Sequence, residues 1–291
     1  MKTRTLALSA LALLGGTLAF AGADFNPPRV KAVKTPPRPP RTALPVPMDT
    51  APAAALPAGS RAANWLGERM KFDLTWSFIT VGRAEIWTED VVAIDGEPCC
   101  HIVSTAKSAA VIDAFFKVRD KNQTWITAAG LHSKGYAKII REGNYFWDEW
   151  VLFDYAKKTF AGIQKTNGDV LENIAGSIPG PVQDIFSALY FVRTQPLEPG
   201  KQFSIDVNSS KNWPLYVTVY PRRETVKVGA GKFDCFVVEP TLRDKGLFVQ
   251  KGKSLKVWMT ADSRHIPVKM EAEVFIGHVS AELEEYSDTQ P

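Results

Sequence analysis

The sequence predicts a mainly β protein: a large curved antiparallel sheet or open barrel of about a dozen strands, with one main helix over residues 181–194 packed on or in it. Three observations carry that reading. Apolar residues alternate strictly from Glu68 through Met70, Phe72, Leu74, Trp76 and Phe78, with Lys71, Asp73, Thr75 and Ser77 between them, which is the period of a half-buried strand. Turn residues then recur at short intervals along the rest of the chain. Only the stretch from Pro179 to Gly200 has a sustained helical period, with Val182, Ile185, Phe186, Leu189 and Phe191–Val192 on one face.

The chain begins with Met1-Lys2-Thr3-Arg4, an apolar run from Leu6 to Phe20, and small residues around Ala21 to Ala23. This pattern predicts a secretory signal peptide over 1–23, because the run is short for a bilayer span. No transmembrane segment is expected after its removal, and no cysteine follows the run to carry a lipid. Residues 24–60 hold prolines at 27, 28, 36, 37, 39, 40, 45, 47, 52 and 57, spaced by alanine, threonine and basic residues. Such a segment buries too little apolar surface to offset its ordering entropy, so a Pro-rich disordered linker is expected. A single β-rich domain over 61–287 then accounts for the rest, and the protein is expected in the periplasm or secreted.

Within that domain a turn is expected at Thr80–Gly82 and a hairpin at Asp95-Gly96. Ser108–Phe116 reads as one or two helical turns. Strands follow over 117–126, 131–141, 145–154 and 159–164, separated by Ala129-Gly130, Gly143-Asn144, Tyr155–Lys158 and Asn167-Gly168. Pro181 suits the first turn of the main helix, and Pro196 with Pro199-Gly200 forbids its continuation. Beyond it, strands are expected over 202–208, 215–228, 232–239, 247–259, 268–275 and 278–286. Turn chemistry separates them at Gly229–Gly231, Asp244–Gly246, Asp262–Arg264 and Gly277. A helix this short has to bury its apolar stripe against the sheet.

Charge excludes one class of partner. Residues 1–60 hold seven basic and two acidic residues, leaving 28 basic and 29 acidic residues for the folded part. A near-neutral domain without a basic stripe argues against nucleic acid. Three cysteines in an exported chain allow one bridge, Cys235 with Cys99 or Cys100, since neighbours on a strand face opposite ways; three reduced thiols are the alternative. The histidines at 101, 132, 265 and 278 are scattered singly, so no metal site and no cofactor is expected.

The stretch Asp184–Arg193 followed by Leu197-Glu-Pro-Gly200 resembles a bacterial exported family known as domain of unknown function 3108. Further matching pieces are Gly67-Glu68, Val81-Gly82, Arg223–Cys235, Trp258–Asp262 and Ile266-Pro267-Val268. The resemblance implies an exported β-rich domain, one copy per chain, with no established activity. The C-terminal pieces are also similar to the closing strands of periplasmic lipoprotein carriers, half-barrels whose concave apolar face is capped by helices and holds acyl chains.

No catalytic motif is present: the chain lacks a nucleophile elbow, a phosphate loop and a dinucleotide fingerprint. Acidic residues gather at Glu142, Asp148, Glu149 and Asp154, but neighbours on a strand point apart, so Asp148 and Glu149 do not make one catalytic pair. Conspicuous aromatics either fill the core or line a concave sheet. The candidate ligand-binding residues are Trp76, Trp125, Trp147, Tyr190, Arg193, Arg223 and Trp258, the arginines serving a ligand carboxylate or phosphate. The expectation is a non-catalytic envelope protein holding a hydrophobic small molecule or lipid in a cavity of several hundred Å³. A glycan-binding or glycan-cleaving protein and a structural partner of another envelope protein are the alternatives.

Overall fold

A computed structural model describes residues 50–52, 55–166, 171–243, 254–273 and 278–288. The expected signal peptide, most of the expected linker, and the turns at Asn167-Gly168, Asp244–Gly246 and Gly277 lie outside them. The strands are β1 (Thr50–Pro52), β2 (Glu68–Trp76), β3 (Ile79–Ile94), β4 (Glu97–Ser108), β5 (Arg119–Thr127), β6 (Ser133–Glu142), β7 (Tyr145–Asp154), β8 (Thr159–Thr166) and β9 (Leu171–Ser177). They continue as β10 (Gln202–Asn208), β11 (Asn212–Val219), β12 (Glu224–Val228), β13 (Gly231–Leu242), β14 (Leu255–Thr260), β15 (Pro267–Glu273) and β16 (His278–Asp288). Among the described residues two helices interrupt them, α1 (Ala110–Asp113) and α2 (Ile185–Arg193), after a 3₁₀ turn at Arg61–Trp65.

These strands form one 16-stranded sheet. Its order runs β10, β11, β13, β14, β15, β16, β2, β3, β4, β5, β6, β7, β8, β9, with β1 added to β3 and β12 to β13. The seam between the halves is β16 on β2, where Ala281 lies opposite Leu74 and Val279 opposite Trp76. The sheet curls without closing. Gln183, just before α2, bonds the outer edge of β10 as a short parallel bridge, its N–H to Asp206 O at 2.8 Å and its carbonyl to Asn208 N–H at 2.7 Å. Val182 O accepts from Ser133 N at 3.1 Å, so the segment leading into α2 ties one edge of the sheet to the start of β6.

Alternation decides which face is which. Met70, Phe72 and Leu74 are buried in one cluster with Phe186 and Tyr190 of α2 and with Val268, Val279 and Leu283 of the C-terminal half. The helix therefore lies inside the curl and fills it. A second, separate cluster of Val92, Ile94, Cys99, Trp125 and Ala137 covers part of the convex face.

Several expectations are corrected. The helix begins four residues later than its predicted start: Asp184 is its N-cap, and Gln183 before it is spent on β10. The first hairpin turns at Ser77-Phe78, not at Thr80–Gly82, with Ser77 at φ 55°. The expected strand 215–228 breaks at Pro221 into β11 and β12, since proline supplies no N–H to the ladder. The cysteine bridge is not formed. Cys99, Cys100 and Cys235 are three buried thiols, and β4 is separated from β13 in the sheet by β14, β15, β16, β2 and β3. Asp95-Gly96 does form the expected turn, at φ 51° and 77°.

Candidate ligand site on the concave face

Two buried ionic clusters fix α2. At its start, Asp184 Oδ1 accepts from the N–H of Phe186 at 2.9 Å and of Ser187 at 3.1 Å, while Ser187 Oγ accepts from Asp184 N at 2.8 Å. This is a reciprocal cap. The other oxygen, Oδ2, accepts from Thr124 Oγ1 on β5 and from Ser133 Oγ on β6 at 2.6 Å. Burial pushes the Asp184 carboxyl above its usual range against the pull of these four donors. At the other end, Arg193 forks onto Glu68 of β2, Nη1 to Oε1 at 2.6 Å and Nη2 to Oε2 at 2.5 Å, both side chains almost fully buried. His265 Nδ1 lies 2.9 Å from Arg193 O, and Arg61 Nη1 donates to Thr194 O at 2.6 Å. The 3₁₀ turn before β2 and the β14–β15 turn thus each satisfy one of the last carbonyls.

From the helix start outward, the concave face becomes polar. The pairing aligns Ser104 of β4 with Asn122 of β5, Asn122 with Lys138 of β6, Lys138 with Glu149 of β7, Glu149 with Gln164 of β8, and Gln164 with Glu172 of β9. Six strands thus contribute one polar residue each to a single row. Glu149 is its centre. Lys138 Nζ stands 3.0 Å from Glu149 Oε1, Tyr136 OH donates to the same oxygen at 2.6 Å, and Trp147 Nε1 donates to Oε2 at 3.1 Å. Tyr136 OH in turn accepts from Ser210 N at 2.9 Å, and Lys138 Nζ lies 3.1 Å from Ser209 Oγ, bringing the β10–β11 turn over the row. Burial pushes the Glu149 carboxyl up, but the Lys138 charge and these hydrogen bonds outweigh it and leave it below its ordinary range.

A second polar group lies on the same face nearer the β6–β7 turn. Asp120 of β5 and Glu142 of β6 are both buried. Arg141 N donates to Asp120 Oδ1 at 2.7 Å, while Asp120 Oδ2 and Glu142 Oε1 have no donor. Burial raises Asp120 to about 7 and, together with the Asp120 charge, raises Glu142 to about 8, so the pair holds a proton near neutrality.

The sequence-predicted residues do not converge. Tyr190 and Arg193 meet, the guanidinium 4.9 Å from the ring centroid, but both are locked in the core with Glu68 and Trp65. Trp147 stands half-buried beside the polar row, its Nε1 on Glu149. Trp125 is on the opposite face, stacked on His101 at 4.9 Å. Trp258 donates to Glu224 at 2.8 Å, Arg223 pairs with Asp234 at 3.0 Å, and Trp76 packs at the edge of the main core. The acidic residues separate as strand geometry requires: Glu149 faces Lys138 inside, Asp148 pairs with Arg141 outside, and Asp154 pairs with Lys157 in solvent. The recess where the row meets α2, lined by Asn122, Tyr136, Lys138, Asp184, Phe186 and Ser209, measures about 10 Å³, room for one water. In place of the expected wide apolar hollow stand Phe186, Tyr190 and Val192. Periodicity marked Lys138, Asn122 and Gln164 only as strand residues; their alignment depends on register, which a single sequence does not print.

The family model described as "Protein of unknown function (DUF3108)" matches residues 71–284. No protein with a curated description matches. Among solved structures, the chain is similar to a β-barrel-like protein of domain of unknown function DUF1849 from Brucella abortus, at 9% identity, 76% of this chain, 96% of that chain and TM-score 0.46. It is also similar to a presumed lipoprotein from Parabacteroides distasonis, at 10% identity over 76% of this chain and 95% of that one, TM-score 0.26. A presumed exported protein with a YmcC-like fold from Bacteroides fragilis matches at 13% identity over 76% and 96%, TM-score 0.27. With most of its folded part covered by the family model, the chain belongs to the DUF3108 family.

Proposed function

We propose that this is an exported envelope protein that binds an amphipathic ligand on the concave face of β6–β9, its polar group on the half-buried side of the row at Lys138 and Gln164, with Glu149 behind holding Lys138 in place, and its apolar part along Tyr145 and Trp147. The observation that carries the reading is the polar row from Ser104 to Glu172. An ion pair buried on a sheet face is often no more stable than apolar residues of the same volume, so a row of this kind is favoured by recognition rather than by folding. Trp147 and Tyr145 stand half-buried beside it, aromatic rings with a polar edge suited to the boundary between an apolar chain and its head group. The filled interior beneath α2 leaves the half-open shelf of β6–β9 as the seat, so the ligand lies along a lip instead of inside a sealed cavity. Export is supported by the basic and apolar start of the chain.

The test uses lysophosphatidylglycerol, below its micelle concentration, as probe, and a disaccharide of N-acetylated amino sugars for comparison. The reading predicts a thermal shift and a change in tryptophan emission with the lipid, both lost in Lys138→Met and Trp147→Leu and kept in Trp125→Phe. Response to the sugar alone, or a lipid response unchanged in both row variants, overturns it.

A further inference from the structure

One rim of the sheet carries every exposed large hydrophobic residue among the described residues. Phe78 is 97% exposed, Ile79 59%, Val111 67%, Phe115 87% and Leu171 55%. Phe78 and Ile79 form the β2–β3 tip, Val111 and Phe115 belong to the β4–β5 connection, and Leu171 opens β9 after β8. All three connections leave the sheet at the same end. Ala109 N donates to Val81 O at 2.9 Å, placing the β4–β5 connection beside the β2–β3 tip. Gly143 N donates to Lys117 O at 2.7 Å, so the β6–β7 turn joins the same rim. At the opposite rim the turns are built from Asp95-Gly96, Ala129-Gly130 and Ala156–Lys158, without such residues.

The charge beside the apolar tips has one sign in excess. On the convex face, Arg83 of β3 lies opposite Lys107 of β4, which lies opposite Arg119 of β5. Lys117 and Lys121 flank them and are exposed. Asp73 pairs with Arg83 and Asp113 with Arg119, while Lys107, Lys117 and Lys121 join no ion pair among the described residues. Isolated exposed apolar residues are ordinary on a soluble protein. Five on one rim, at loop tips bordered by lysines, match the chemistry of a bilayer interface, where apolar side chains enter the head-group boundary and cations meet anionic lipid.

We infer that this rim docks on an anionic lipid bilayer, through Phe78, Ile79, Val111 and Phe115 inserted at the surface and Lys107 and Lys117 against phosphate. The inference stands independently of the concave site.

Co-sedimentation with phosphatidylcholine vesicles, with and without phosphatidylglycerol, tests it on the chain from Asp24 onward. The wild type is expected to bind vesicles containing phosphatidylglycerol, and Phe78→Ser with Phe115→Ser is expected to weaken binding about tenfold. Lys107→Glu with Lys117→Glu is expected to abolish the preference for phosphatidylglycerol. All four positions are exposed, and unchanged melting temperatures confirm folding. Binding that persists undiminished in both double variants would assign the attraction to the basic residues before Thr50 and overturn the inference. A dimer in sedimentation without vesicles, abolished by the Phe78 and Phe115 changes, would overturn it in favour of self-association.

Discussion

Asp184 shows how one residue joins three parts of the fold. Its carboxylate satisfies the first amides of α2 and two hydroxyls on β5 and β6. Asp184→Ala removes a cap and strands two buried hydroxyls, and the expected loss is about 3 kcal/mol. Asp184→Asn retains one acceptor and is expected to lose less; urea denaturation of the two variants measures the order. Asp120 and Glu142 set a pH dependence. The folded pair retains a proton up to about pH 7 to 8, whereas the unfolded carboxyls release theirs near pH 4. Folded protein therefore binds more protons over that window, and stability falls as pH rises through it, by up to about 1.4 kcal/mol per pH unit for each retained proton. Melting temperature is expected to be higher at pH 5 than at pH 8, with the slope flattened in Asp120→Asn. A slope left unchanged by Asp120→Asn would contradict the raised carboxyl pair. Neither carboxyl was conspicuous in sequence: Glu142 was grouped with Asp148, Glu149 and Asp154 by proximity along the chain, while its partner Asp120 lies on the preceding strand.

At the scale of elements, the legible features were those encoded locally. The alternation in β2, the Asp95-Gly96 turn and the stripe of α2 each depend on residues within a few positions of one another. The start of α2 was misplaced because Pro181 and a long-range bridge compete for the same residues: Gln183 N–H is claimed by Asp206. The β6–β7 turn needs its glycine for two reasons, φ 57° and a ring in the way, since a Cβ there would stand 2.8 Å from Phe116. At the other end of α2, the sequence marks Arg193 as an arginine for a ligand carboxylate or phosphate, and its partner Glu68 only as the first residue of an alternating strand. The pair is nearly sealed from solvent, so removing one charge costs far more than removing both. Glu68→Gln is expected to lose about 3–5 kcal/mol, and Glu68→Leu with Arg193→Met to recover part of that loss. Denaturation of the single and double variants checks this; equal losses would contradict a buried, mutually dependent pair.

For the whole molecule, composition and turn spacing were enough for a curved antiparallel sheet with one helix. They were not enough for its interior, because whether a curl is hollow depends on how far strands about 200 residues apart approach one another, as β2 and β16 do where Thr75 Oγ1 meets Ser280 Oγ 205 positions on, and on which side chains meet there. The interior is filled by α2, and the polar row beside it emerges only once six strands are in register. The candidate site was therefore legible in fragments, as Trp147 and Glu149 on one strand, and illegible as an arrangement. Native mass spectrometry of the protein purified from its own cells tests the ligand seat most directly. The account predicts wild type carrying the added mass of an amphipathic molecule that is absent from Lys138→Met, Trp147→Leu protein of unchanged melting temperature. Wild type with its chain mass alone, or an added mass equally retained by the variant, would contradict it.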